Sequence, residues 1–287
     1  MKAQEFTHAP RFGLRFLAVV FGLMLFTSPV SAGEQKNQQR ALLQQKALAA
    51  KGDAAAQTQL GVMYANGKGT PVNQLEAIKW FRLAAAQNYA EAQFQLGIMS
   101  AFGHGLKQDD QAAISWYQRA AAQSHAHAQN ELGVMSERGR GVRRDDAEAV
   151  KWYRLAADQG DATAQVNLGI KYDLGHGVRQ NYREAVKWFR AAADQGNASA
   201  LNNLGVMYAD GLGVTVSRIV AHALYHLSAT IDPSATNQAS NNRNAIASKM
   251  SASEIEAAQA LAKELSASKE LVKTLDVWCV GRGVKLL

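Results

Sequence analysis

Apolar residues recur at spacings of three and four along most of this chain, and the whole arrangement repeats every 36 residues. Leu-Gly stands at Leu60-Gly61, Leu96-Gly97, Leu132-Gly133, Leu168-Gly169 and Leu204-Gly205. A Gly-x-Gly follows in phase at Gly67/Gly69, Gly103/Gly105, Gly139/Gly141, Gly175/Gly177 and Gly211/Gly213. Trp80, Trp116, Trp152 and Trp188 come next, with Leu224 in the fifth place. Self-similarity at this period predicts stacked units rather than a chain wrapped around one core. Each unit reads as two antiparallel helices, A near 54–66 and B near 74–87 in the first copy. The B stripe Ala77, Trp80, Phe81, Ala84, Ala85 falls on one helical face. Small alanines opposite large rings let neighbouring helices interlock. Abundant Ala and Gln with only four prolines agree with an all-α chain.

Polar and glycine positions fit the same scheme. Asn73, Asp109, Asp145, Asn181 and Ser217 stand in register as N-caps of the B helices, and Glu76, Glu148 and Glu184 follow at capping-box spacing. Asp53, Asp161 and Asn197 are placed to cap A helices. The glycine inside each A helix costs about 1 kcal/mol against alanine. Its recurrence therefore predicts a close approach by another helix. The first glycine of each Gly-x-Gly suits the left-handed residue that closes a helix, and the second shapes the A–B turn.

The array is bounded by imperfect units. Residues 41–52 align with a B helix alone, Gln44 replacing the tryptophan, so 33–52 reads as an N-terminal capping helix ahead of the repeats at 53–230. The register fails after Ala229. Residues 234–248 predict a helix of weaker pattern, Ser251 caps another, and 231–267 closes the array. No pattern places the tail 268–287. Residues 1–32 read as a signal peptide: basic Lys2, Arg11 and Arg15, an apolar run Phe16–Phe26, and the small-residue site Val30-Ser31-Ala32. Export to the periplasm or beyond follows as an expectation.

The motif Ala-x-x-x-Leu-Gly-x-Met, Gly-x-Gly, Ala-x-x-Trp-Tyr-x-x-Ala-Ala is carried by Ala92, Leu96-Gly97, Met99, Gly103/Gly105, Ala113, Trp116-Tyr117 and Ala120-Ala121. It resembles the Sel1-like repeat family, a cousin of the tetratricopeptide repeats, over about residues 41–230. The resemblance implies a right-handed α-solenoid serving as a protein-binding scaffold, often in bacterial envelope or host-contact roles, with no single ligand.

The net charge is +7. Three of the 31 basic and one of the 24 acidic residues lie in the leader, leaving +5. This mild excess is compatible with an acidic partner or an anionic surface. Without a basic-aromatic motif it gives no support to nucleic-acid binding. Cys279 is the only cysteine, so there is no internal disulfide framework. The expected state is a monomer, with a Cys279-linked dimer as the alternative.

Differences among the internal copies point to where a protein partner would dock. One variable helix-A column holds Thr58, Phe94, Asn130, Val166 and Asn202. A second holds Ala65, Ala101, Glu137, Asp173 and Ala209, and a third Asn66, Phe102, Arg138, Leu174 and Asp210. Spacings of seven and eight put the three on one helix side. Phe94, Phe102, Asn130, Glu137, Arg138, Val166, Asp173 and Asn202 are thus the expected docking residues, with the two phenylalanines as anchors. Arg138, Arg140, Arg143 and Arg144 crowd one A–B turn. They suit an acidic-partner or lipid-headgroup contact, or a solvated loop balanced by Asp145 and Asp146.

Catalytic and cofactor readings find little support, and no cofactor or metal is expected. The glycine pairs lack the preceding strand and third glycine of a phosphate loop. His222 and His226 are spaced as two metal ligands could be, but no third ligand or intervening Glu accompanies them. Ser266-Ala267-Ser268-Lys269 fits Ser-x-x-Lys without the supporting motifs of β-lactamases. A non-enzymatic, exported interaction scaffold is the leading expectation. Recognition of an envelope polymer such as peptidoglycan is the alternative, and a β-lactam or cell-wall hydrolase comes last.

Overall fold

The computed structural model describes residues 32–234 and 237–284. The expected signal peptide lies outside the described residues but for Ala32, the first residue of helix α1. Fourteen helices and no strands occur among the described residues: α1 (Ala32–Ala50), α2 (Ala54–Asn66), α3 (Gln74–Ala86), α4 (Ala90–Phe102), α5 (Asp110–Ala121), α6 (Ala126–Arg138), α7 (Asp146–Asp158), α8 (Ala162–Leu174), α9 (Tyr182–Asp194), α10 (Ala198–Asp210), α11 (Arg218–Ile231), α12 (Ala239–Ala247), α13 (Ala252–Ala267) and α14 (Leu271–Gly281). The chain divides into two compact units, Met1–Ala120 and Ala121–Leu287. In the first, α1 packs on α2, α2 on α3 and α3 on α4. In the second, each helix from α6 to α11 packs on the next, and α12, α13 and α14 close the stack. This is the α-solenoid of antiparallel helix pairs expected from the period. The tail that no pattern placed contains α14, whose Leu275, Trp278 and Cys279 are buried in the same core as Phe189 and Leu204. Arg190 holds α14 through both oxygens of Asp276 at 2.5 Å.

The helix-interior glycines receive an aromatic ring from the B helix of their own repeat, 20 residues on. A Cβ on Gly61 would stand 2.5 Å from Phe81 Cε1, and one on Gly169 2.6 Å from Phe189 Cε1. Tyr117, Tyr153 and Tyr225 lie on Gly97, Gly133 and Gly205 in the same way. The ring beside each tryptophan is therefore the fully buried one, while Trp80, Trp116 and Trp152 are only half-buried. Cations lie over three of the repeat indoles, Lys79 on Trp80, Arg119 on Trp116 and Lys187 on Trp188.

The second glycine of each pair does more than shape a turn. A Cβ on Gly213 would meet the Tyr182 backbone at 2.7 Å, one on Gly69 the Gln38 carbonyl at 2.7 Å, and one on Gly177 the Asp146 backbone. The turns at Gly105, Gly177 and Gly213 thus sit directly on the first turn of the preceding B helix. At the B–A turns a positive φ recurs at Gly52, Asn88, Ser124, Gly160 and Gly196. Asn88 and Ser124 therefore occupy a conformation that the other copies give to glycine.

Caps follow the sequence closely. Asp53, Asp161 and Asn197 accept from the N3 amides of α2, α8 and α10. Asn73, Asp109, Asp145, Asn181 and Ser217 do the same for the B helices. The reciprocal half of a capping box forms at Ser251–Glu254. Glu76, Glu148 and Glu184 turn forward instead, to Lys79, Lys151 and Lys187. His125 caps α6 through Nδ1. A ladder of glutamines ties neighbouring repeats: Gln165 donates to the Ala157 carbonyl at 3.2 Å and accepts from Gln195 at 3.0 Å. Gln129 and Gln159 repeat the arrangement.

Candidate protein-docking face

In the second unit the accessible stripe of the A helices runs through His127, Glu131, Val134 and Arg138 on α6. It continues through Thr163, Asn167, Ile170 and Leu174 on α8, and Ser199, Asn203, Val206 and Asp210 on α10. Val134, Ile170 and Val206 are half-buried, each resting on the core while keeping part of its surface open. Polar rungs flank this apolar rung on both sides. His127 Nδ1 lies 2.5 Å from a carboxylate oxygen of the buried Asp161. Loss of solvent raises the Glu131 pKa to about 7, against the opposing charge of Arg138.

The expected docking residues are placed unequally. Phe94 is 2% exposed, its ring 5.9 Å from that of Tyr117, so in the first unit it is core rather than an anchor. Asn130 is 1% and Val166 3% exposed, and neither is open to a partner. That column faces neighbouring helices, and its variation records packing. The accessible column stands one residue later, which turns a helix by about 100°. Asn202 is half-buried and accepts from Asn242 at 2.9 Å. Phe102, in the first unit, is half-buried with its ring 6.0 Å from that of His104. Asp173 is half-buried beside the stripe, and Arg138 is exposed on it.

Glu137 belongs to a network that the sequence reading missed. Lys171 is buried where the other repeats place Met63, Met99, Met135 and Met207. Its ammonium donates to Glu137 at 2.8 Å and to Asp146 at 2.6 Å. The Tyr153 hydroxyl donates to the other Glu137 oxygen at 2.6 Å. Burial first, then the Glu137 charge, pushes the Tyr153 pKa far up. Burial works against the Asp146 carboxylate, but Lys171 and Arg144 outweigh it and hold its pKa below the ordinary value. The signal was present in the sequence as a lysine in an otherwise invariant methionine column.

The remaining chemical candidates do not assemble. His222 is buried and its pKa is lowered by burial, then by Arg243 and His226. Arg243 lies 3.4 Å from His226 Nδ1. A guanidinium beside both rings opposes a cation there. Among the described residues no group of three His, Cys, Asp or Glu is arranged to hold a metal. Ser266 donates to the Lys263 carbonyl at 2.9 Å. Cys279 is fully buried beside Tyr208, with its thiol pKa pushed up to about 11 by burial, so the alternative of a Cys279-linked dimer would require α14 to leave the core.

Paired helices in consecutive packing, with a half-open stripe of mixed chemistry, define a repeat protein of the α-solenoid class. The sequence matches the Sel1 repeat at residues 54–89, 90–125, 126–161, 162–197 and 198–231, and the chain belongs to the Sel1 repeat family. A Sel1 repeat protein from Oxalobacter formigenes shares 31% identity at a TM-score of 0.62, over 69% of this chain and 83% of that one. A protective antigen present in uropathogenic Escherichia coli strains, displaying an SLR fold, shares 26% identity at a TM-score of 0.52, over 88% of this chain and 60% of that one. No curated protein matches the sequence. The Sel1 repeat fold is typically a protein–protein interaction scaffold and generally non-catalytic. Among the described residues no helix is long and apolar enough to cross a membrane.

Proposed function

We propose that the chain is a non-enzymatic scaffold that binds an extended segment of a protein partner along the open stripe of α6, α8 and α10. The observation that carries this reading is the stripe's composition. Val134, Ile170 and Val206 form an apolar rung, bordered by Glu131 and Asn167 on one side and by Arg138, Leu174 and Asp210 on the other. Partly exposed aliphatics give an interface its apolar centre, and flanking charges set the register of the bound chain. Arg138 is the expected docking residue that lies on this stripe, with Glu137 and Asp173 beside it.

The test is cross-linking capture from envelope extracts. The variant Glu131→Ala/Arg138→Glu/Leu174→Asp should lose the captured partner while keeping its helical circular dichroism. Lys151→Glu/Lys187→Glu, on the exposed side of the B helices, should retain it. Equal capture by both variants would sink the stripe as the docking face. We also propose that the chain works outside the cytoplasm, on the strength of the basic, apolar and small-residue order of residues 1–32. Mass spectrometry of the native protein should find an N-terminus at Gly33, and an intact Met1 in the mature protein would refute export by this leader.

A further inference from the structure

We propose that the edge of the second unit formed by its A–B turns rests on an anionic lipid surface. The three turns, 139–145, 175–181 and 211–217, form one continuous edge. Gly177 leaves no room for a side chain against the Asp146 backbone, and Gly213 none against Tyr182, so the second and third turns each abut the helix pair before them. Helix pairs packed in this way advance by about 10 Å per layer.

Two independent features of this edge point to lipid. The first is a set of arginines without a carboxylate partner. Arg143, Arg179 and Arg183 are exposed, and among the described residues none of them pairs with a carboxylate. Several nearby carboxylates are already engaged. Asp145 caps α7, Asp146 holds Lys171 and Arg144, and Glu148 and Glu184 take Lys151 and Lys187. At the B–A turns, by contrast, the exposed charges nearest Gly160 and Gly196 are Asp158 and Asp194. The second feature is exposed aliphatic surface on the same edge. Val142 is 41% and Val216 54% exposed on the turns, with Leu174 open just ahead of the middle one. Arginines flanking aliphatic tips match a headgroup layer, where guanidinium groups take phosphate oxygens and the aliphatics enter the acyl boundary. An acidic protein segment would use the arginines and leave the valines idle.

The full chain lacking residues 1–32 should sediment with vesicles of phosphatidylcholine containing phosphatidylglycerol, and not with pure phosphatidylcholine. Binding should weaken as salt rises. Each arginine near such a surface contributes about fivefold, so Arg143→Ala/Arg179→Ala/Arg183→Ala should lower partitioning by about a hundredfold. Val142→Asp/Val216→Asp should also lower it with all three arginines present. The stripe variant Glu131→Ala/Arg138→Glu/Leu174→Asp loses one edge aliphatic but keeps these three arginines, so it should still bind vesicles; the scaffold reading and this one can therefore fail separately. Equal binding to both vesicle types, or wild-type partitioning by the triple arginine variant, would overturn the proposal. So would binding of poly-glutamate by the edge without binding of vesicles, which would assign it to an acidic protein segment.

Discussion

The Lys171 ammonium is buried 2.8 Å from Glu137 and 2.6 Å from Asp146, in a column where four other repeats place methionine. One repeat thus exchanges an apolar contact for a charged network that links α6, α7 and α8.

A buried cation stripped of its partners should be costly. Glu137→Ala/Asp146→Asn is expected to destabilise the second unit by about 3–5 kcal/mol, because Lys171 then remains charged and unpaired. Adding Lys171→Met should restore most of that loss. Denaturant melts of the three proteins check this, and a triple variant no more stable than the double would refute it.

Acid should weaken the same network. The folded-state pKa of Asp146 lies below its ordinary value, so its contribution is present above about pH 4 and is lost as pH falls through the lower folded-state value. Asp146→Asn should flatten the acid limb of the stability profile, as measured by thermal melts between pH 2 and 5.

Glu131 should act in the opposite sense. Its carboxyl has a folded-state pKa raised to about 7, so the folded state binds the extra proton and stability declines as pH rises from about 4.5 to 7. Glu131→Gln should match the wild type at pH 5 and exceed it by about 1–3 kcal/mol at pH 8. Chemical denaturation at the two pH values measures the difference, and identical gains at both would contradict the assignment.

The ring resting on Gly169 leaves no space for a methyl group. Gly169→Ala should cost about 1–3 kcal/mol through overpacking despite its better helix propensity. Phe189→Leu combined with it should recover part of the loss, since the ring edge is what the methyl meets. A stabilised Gly169→Ala protein would show that the ring can move aside at little cost.

Cys279 should be inert in the native state. Its thiol is buried and its pKa is pushed up to about 11, and the thiolate is the reactive form. Reaction with Ellman's reagent should be slow natively and immediate in denaturant, and non-reducing gels of native protein should show no cross-linked dimer. Rapid native labelling would mean that α14 opens.

Much of the fold was legible because the period makes each residue testify five times. Gly61, Gly97, Gly133, Gly169 and Gly205 announced a close approach before the rings of Phe81 and its equivalents supplied it. The N-caps were legible because capping is local, set within three residues of the helix start. The docking face was legible only in part. Thr58, Phe94, Asn130 and Val166 vary as surface positions do, yet they are buried against neighbouring helices, and a shift of one residue separates them from the open stripe.

The sequence by itself determined what depends on near neighbours: the helices of the repeats, their caps, the turn glycines, and the 36-residue register of the repeats. The tertiary structure decided what depends on contacts distant along the chain. It placed α14 on Arg190 through Asp276, it paired Lys171 with Glu137 across 34 residues, and it turned Phe94 inward. A periodic pattern states which face of a helix is apolar, but only packing states which of its flanks is already covered.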